Sequence, residues 1–313
     1  MVPWNIAHRG GAGLRPENTL SAFADAVWRG CHGAELDVQL TADGLVVVHH
    51  DWRLKPALAR DKDGVWLTDA TPRIKDLTFE ELRGFDVGRA DPEGDYAQAH
   101  PHVRWQDGEC VPLLEEVIAV AKTARAPFKL IVELKTSFAN RDEGANPEEL
   151  AHRTVEVLAE HHYLDQTIFV GFDWAALIAA KKFAPRTECW FTSLPMSWFG
   201  PGMPPPEADP PSEPALQMLR YWAREGVSPW AAGFDPIHYD GSIIKAVKAA
   251  GADGWDPMWV DLNPETVAEA RELGLKLGTW TVNDSEQMRR MASLRLDAIY
   301  TDRPDLLSAI ECY

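Results

Sequence analysis

Cysteine is scarce in this chain of 313 residues: Cys31, Cys110, Cys189 and Cys312 stand far apart and form no CxxC pair. That spacing argues against a thiolate metal site and against a disulfide framework, so the thiols are expected to be reduced and to serve packing. No apolar run approaches the roughly 20 residues that a membrane span needs. No basic amphipathic helix is present either, so stable membrane association is not expected. The opening MVPWNIAHRG lacks the charged, apolar and small-residue order of a secretory leader, which makes a cytoplasmic location the expectation. Positive charge is also short. Against 48 acidic residues there are 31 lysines and arginines, a net charge of −17, which speaks against nucleic acid as a partner. An anionic substrate would need a local cationic site or a bound cation to overcome that field. No GxGxxG follows the first strand, which weakens a dinucleotide-binding reading, and no internal repeat is found.

What is present is alternation. Short apolar segments at 5–9, 34–40, 45–50, 129–135, 167–172, 188–193, 276–282 and 297–301 read as strands, with a further one near 253–257. Between them, helical patterns are expected at 18–29, 113–125, 147–162, 174–183, 241–250, 264–273 and 285–294. Two of these have a clear start, Asn146 before Pro147 and Asn263 before Pro264. Strand and helix alternating over the whole length predict an α/β fold, a single (β/α)8 TIM barrel over 1–313. Two stretches interrupt the rhythm. Residues 52–111 are too long for a strand-to-helix loop and read as a small subdomain inserted after the second strand region. Residues 195–230, rich in proline and tryptophan, read as an irregular loop over the barrel mouth.

In such a barrel the C-terminal strand ends meet in one pocket. There the sequence places His8 and Arg9, Glu35 and Asp37, His49, His50 and Asp51, and Glu133 with Lys135. Glu35 and Asp37 are two apart and share a face of their strand, as do Glu133 and Lys135. Singly, each has a plain structural reading: a hydrogen-bonded strand-end histidine, a buried Arg9–Glu35 salt bridge, a Glu133–Lys135 surface pair. Together they describe more. Converging carboxylates repel unless something positive lies between them, and a hard divalent cation with oxygen ligands suits them best. Two histidines could move a proton, and Arg9 and Lys135 would favour a phosphate. The set points to phosphodiester cleavage.

The run HRGGAGLRPENTLSAFADAVWRGCHGAELDVQLTADGLVVVHHD, followed by VELK at 132–135, GTWTVND at 278–284 and YTDRPDLL at 300–307, resembles the glycerophosphodiester phosphodiesterase family from first strand to last. The 52–111 excursion is similar to the insertion that separates these enzymes from their sphingomyelinase D relatives. The resemblance implies His8 and His50 as catalytic histidines and Arg9 and Lys135 as phosphate contacts. It implies Glu35, Asp37 and Glu133 as ligands of one divalent cation, Mg2+ or Ca2+. It also implies the reaction: a substrate hydroxyl attacks phosphorus, an alcohol leaves, and water opens a cyclic phosphate to give sn-glycerol 3-phosphate. The family motif has one histidine before the aspartate where this chain has two, and strand alternation sends His49 to the face opposite His50. Glu17 and Asn18 are read as holding the first loop, with Asn18 as helix cap, and Asp302 and Arg303 as loop structure. Of 13 tryptophans, Trp190, Trp198, Trp255, Trp259 and Trp280 fall where the mouth is expected, and Trp280 is assigned to the pocket. Trp4, Trp28 and Trp66 are read as core. Indole faces suit a sugar or a choline group, so a sugar phosphodiester of the agrocinopine type is an alternative substrate. A diester-binding protein without catalysis is the third reading.

Overall fold

The computed structural model describes residues 2–68, 71–199 and 213–310. Cys312 and the 200–212 part of the expected mouth loop lie outside the described residues. Nine strands form one sheet: β1 Trp4–Ala7, β2 Gly33–Leu40, β3 Val46–Val48, β4 Lys129–Leu134, β5 Thr167–Gly171, β6 Glu188–Ser193, β7 Gly254–Pro257, β8 Lys276–Leu277 and β9 Ala298–Thr301. Eight are parallel in the order β8-β7-β6-β5-β4-β2-β1-β9. The Asp297 N–H donates to the Leu277 carbonyl at 2.8 Å and the Tyr300 N–H to the Thr279 carbonyl at 2.9 Å, bringing the two ends of the sheet together into a nearly closed barrel.

Period-two alternation sorts each strand into an inside and an outside. Ile6, Ile131, Ile168, Val170, Trp190 and Tyr300 fill the barrel interior. Their neighbours Leu130, Val132, Phe169 and Phe191 point out and pack against the helices. The helices begin where caps permit. Asn146 accepts from the N–H groups of Glu148 and Glu149 at the head of Pro147–Glu160, and Asn263 from Thr266 at the head of Pro264–Glu272. Among the described residues no helix is long and apolar enough to cross a membrane.

Several expectations need correction. The segment at 45–50 is not a barrel strand: β3 pairs antiparallel with β2, Val48 opposite Val38, and hangs off the barrel as the return arm of a hairpin. Its place in the barrel is taken by β7. The first helix, Leu20–Trp28, is capped by Thr19, not Asn18, because Asn18 adopts a left-handed φ of 56° one residue before the cap. Trp28 is 80% exposed rather than core. Trp190 and Trp255 are wholly buried, Trp190 inside the barrel against Trp4, so neither lines the mouth. The 195–230 stretch is not all loop, since Pro214–Glu225 is a three-turn helix ended by Gly226 in the left-handed region. Between β3 and β4, Leu54, Ala59, Ile74, Leu82, Val87 and Val111 gather around Val47 into an apolar cluster distinct from those of the barrel.

Candidate active site

Register places the carboxylates. Asp37 on β2 lies opposite Glu133 on β4, and Glu35 opposite Ile131, so parity turns Glu35, Asp37 and Glu133 inward together. One oxygen from each lies within 4.8 Å of the others. Glu35 Oε1 and Asp37 Oδ1 are buried and accept no hydrogen bond. Two buried carboxylates with an oxygen left over, beside the half-buried Glu133, are the all-oxygen donor set that a hard divalent cation takes, and this cluster could hold one. Burial and the neighbouring Asp37 push Glu35 up to about 8. Asp37 is held far below the usual carboxylate range, because His50, Lys135 and Arg9 outweigh its burial.

The cationic pair at the end of β1 sits in a tight turn. His8–Gly10 is a single 3-10 turn in which Arg9 adopts φ 50° and ψ 34°. Gly10 follows at φ 82°, and a Cβ there would meet the Ala22 Cβ at 2.7 Å, so only glycine fits. Glu35 Oε2 accepts the Arg9 N–H at 2.9 Å and holds the strained residue in place. The Arg9 guanidinium then reaches Glu17 at 3.1 Å and lies 3.6 Å from Asp37. Asn18 donates to Asp37 Oδ2 at 2.8 Å, so Glu17 and Asn18 both act on site residues, a step beyond loop structure.

Each histidine commits its Nδ1 to a carboxylate. His8 Nδ1 is 2.6 Å from Asp302 Oδ1, and its Nε2 lies 3.8 Å from Glu35. Asp302 in turn accepts from the Asn283 amide at 2.6 Å. Burial works to lower the His8 pKa, but Asp302 outweighs it and the net shift is upward. His50 Nδ1 is 2.8 Å from Asp51, whose other oxygen takes the Lys55 ammonium at 3.1 Å. Gln39 donates to the carbonyls of both His49 and Asp51 at 2.7 Å and fixes the bend that delivers His50. His49 takes no part in this arrangement; its Nε2 is buried without a partner.

Lys135 bridges Glu133 at 2.8 Å and Asp37 at 3.6 Å. A cavity of about 140 Å³ is lined by His8, Arg9, Glu35, His50, Glu133 and Trp280, with Phe172 standing edge-on to Trp280 at 5.2 Å. All eight residues singled out in the sequence thus come together, six on the cavity wall and Asp37 and Lys135 directly behind it. Two others were missed. Asp302, which the sequence reads as loop structure, orients His8. Asp256 on β7 is fully buried in the cavity wall, and burial among Glu133 and Glu35 raises it well above the usual carboxylate range. Its register partner on β6 is Thr192, which lines the same cavity.

The profile of the glycerophosphoryl diester phosphodiesterase family matches residues 8–306. A glycerophosphodiester phosphodiesterase of Caldanaerobacter subterraneus is 27% identical over 302 residues, covering 96% of this chain and 95% of that protein. The crystal structure of a candidate glycerophosphoryl diester phosphodiesterase from Silicibacter pomeroyi superposes with a TM-score of 0.79 at 32% identity, over 98% of this chain and 92% of that one. An Oleispira antarctica phosphodiesterase solved with the product sn-glycerol-3-phosphate shares the fold, with a TM-score of 0.66 at 23% identity over 98% and 96% of the two chains. With its barrel, its acidic cluster and a match running from the first histidine to the last helix, the chain belongs to the glycerophosphoryl diester phosphodiesterase family.

Proposed function

We propose that this protein hydrolyses a small glycerophosphodiester to an alcohol and sn-glycerol 3-phosphate, with His8 and His50 exchanging protons with the substrate at a metal-assisted site. One observation carries the reading: both imidazoles line one cavity with Nδ1 tied to a carboxylate, which leaves Nε2 of each for the substrate. One imidazole takes the proton of the glycerol hydroxyl as that oxygen bonds to phosphorus, while the other protonates the departing alcohol oxygen as its P–O bond breaks. Water then opens the cyclic phosphate with the two roles exchanged. Asp302 and Asp51 stabilise each imidazole when it is charged. Arg9 and Lys135 supply fixed positive charge to the phosphate oxygens. Glu35, Asp37 and Glu133 would hold one Mg2+ or Ca2+, which when bound adds further positive charge at the phosphate. We read 52–111 as part of this one catalytic unit, and the cytoplasmic assignment from the sequence belongs to the same reading.

A second substrate class rests on the Trp280–Phe172 wall, which offers an indole face and an aromatic edge to a sugar or choline group. The test is turnover of glycerophosphocholine, glycerophosphoethanolamine and a sugar–phosphate–sugar diester, with chelator and with Mg2+ or Ca2+ restored, products identified by mass. Metal-dependent release of glycerol 3-phosphate from the first two is expected. Preference for the sugar diester would transfer the reading to that substrate. Binding without turnover would leave a diester-capturing protein. His8→Ala and His50→Ala are each expected to lower kcat by about a hundredfold or more.

A further inference from the structure

Arg9 is positioned in part from a distant piece of chain. Glu17 Oε1 accepts the Arg9 Nη1 at 3.1 Å, while Glu17 Oε2 accepts the hydroxyl of Tyr96 at 2.5 Å. The carboxylate is therefore a bridge with one oxygen for each partner. Tyr96 lies in the short helix Asp95–Ala99 of the inserted segment, 79 residues from Glu17. Its ring is held on two sides: His100 stacks on it at 4.1 Å and 14°, and the Lys55 ammonium lies 5.3 Å from its centroid. Lys55 is the same residue that pairs with Asp51, the partner of His50. The phosphate-facing arginine and the second histidine are thus both connected to one tyrosine of the insertion.

We propose that Tyr96 is a positioning residue for the phosphate site, acting through Glu17 on Arg9. A carboxylate facing an arginine alone takes two parallel N–H bonds and draws the guanidinium flat against itself. By occupying one Glu17 oxygen, Tyr96 limits Glu17 to a single N–H and keeps the guanidinium turned toward the cavity that Arg9 lines. The guanidinium is not saturated by the protein, since Arg9 Nε is buried with no hydrogen-bond partner. Burial and the Glu17 charge raise the Tyr96 phenol far above its ordinary value, so it remains a donor at any working pH. Glu17 is held ionised against its burial by Arg9, Lys55 and this same hydroxyl. The insertion thereby sets the geometry of phosphate recognition.

The inference rests on the reading of Arg9 as a phosphate contact, and the experiment separates the two. Binding of sn-glycerol 3-phosphate to the full chain with Mg2+ is measured by calorimetry, beside KM and kcat, for Tyr96→Phe, Glu17→Gln, Arg9→Ala and the Arg9→Ala/Tyr96→Phe double variant. Tyr96→Phe keeps the ring and both of its contacts and removes only the hydroxyl. It is expected to weaken product binding and raise KM by about tenfold. Because the lost contact serves ground and transition states alike, kcat should change less, by about threefold at most. Glu17→Gln leaves the insertion intact and should show a similar loss. In the Arg9→Ala background the Tyr96→Phe effect should vanish. Product binding within about twofold of the parent in both single variants, or the same loss persisting without Arg9, overturns the proposal. If Arg9→Ala itself leaves product binding unchanged, the phosphate reading of Arg9 fails and this proposal falls with it.

Discussion

Replacing Asp302 by asparagine tests how His8 is prepared for its role. The two side chains are 17% and 19% exposed and meet at 2.6 Å, so their interaction is only partly screened. Unit charges about 4 Å apart at an effective dielectric of about 20 attract by about 4 kcal/mol, before desolvation is set against it. Burial works in the opposite direction, yet the net His8 shift is upward. Removing the charge should therefore lower the His8 pKa, since burial then acts without the opposing Asp302 charge. The asparagine also changes which nitrogen carries the proton. Asn283 already donates to Asp302 Oδ2, so the new amide would keep its oxygen there and turn its NH2 toward His8 Nδ1. His8 would then hold its proton on Nε2, toward the cavity, and could no longer accept one there. We expect kcat to fall by about 10²-fold or more, with the pH-profile limb of His8 moving to lower pH. The assay is kcat and kcat/KM from acid to alkaline pH on a metal-saturated enzyme, with nitrogen-15 chemical shifts of His8 reporting the tautomer. The pair stabilises the fold fully between the ordinary values of 3.8 for Asp302 and 6.5 for His8; that contribution is lost as pH rises through the raised His8 value, and as pH falls through the lowered Asp302 value. Parent-like kcat with an unmoved limb and an unchanged tautomer would refute the reasoning.

Further outcomes are open to direct measurement. Burial raises Asp261 to about 6, so its ionised form costs stability above that pH; Asp261→Asn should stabilise the protein at pH 7 by about 2 kcal/mol in urea denaturation, and no gain would show the carboxylate is not strained by burial. A Cβ on Gly278 would meet Asp256 Oδ1 at 2.5 Å and the Tyr300 hydroxyl at 2.9 Å, so Gly278→Ala should destabilise by about 1–3 kcal/mol; an unchanged Tm would count against that close approach. Glu35, pushed to about 8, holds its proton in the metal-free protein at pH 7. Mg2+ or Ca2+ binding should then release close to one proton at pH 7 and far less at pH 9, read from calorimetry in buffers of different ionisation enthalpy; equal release at both would exclude Glu35 as the source.

Much of the site was legible in the sequence because parity and motif spacing act locally. Glu35, Asp37 and Glu133 are placed by the two-residue period of strands that were easy to find. The approaches of Asp302 to His8 and of Tyr96 to Glu17 were not legible, since they span 294 and 79 residues and no local pattern encodes them. β3 misled for a related reason: Val46–Val48 reads as a buried strand, but nothing in three valines tells whether the partner runs parallel or antiparallel. Asp256 escaped because Gly254–Pro257 is short and ends in proline, which hides its alternation. Trp28 was assigned by size, whereas the helix face it occupies is turned to solvent.

The three residues of β3 carry a consequence for any attempt to exchange the insertion between relatives. Val46 and Val48 belong to the apolar core shared by the barrel and its helices, while Val47, turned the other way, closes the cluster of the inserted segment. The seam between the two bodies therefore runs through alternate side chains of a single strand rather than across a linker. A graft cut at residue 52 would bring a foreign cluster against a resident Val47, two residues before His49. A transplanted insertion would have to fit that valine as well as keep the hydroxyl that Tyr96 gives to Glu17, and a misfit at Val47 would fall three residues from His50.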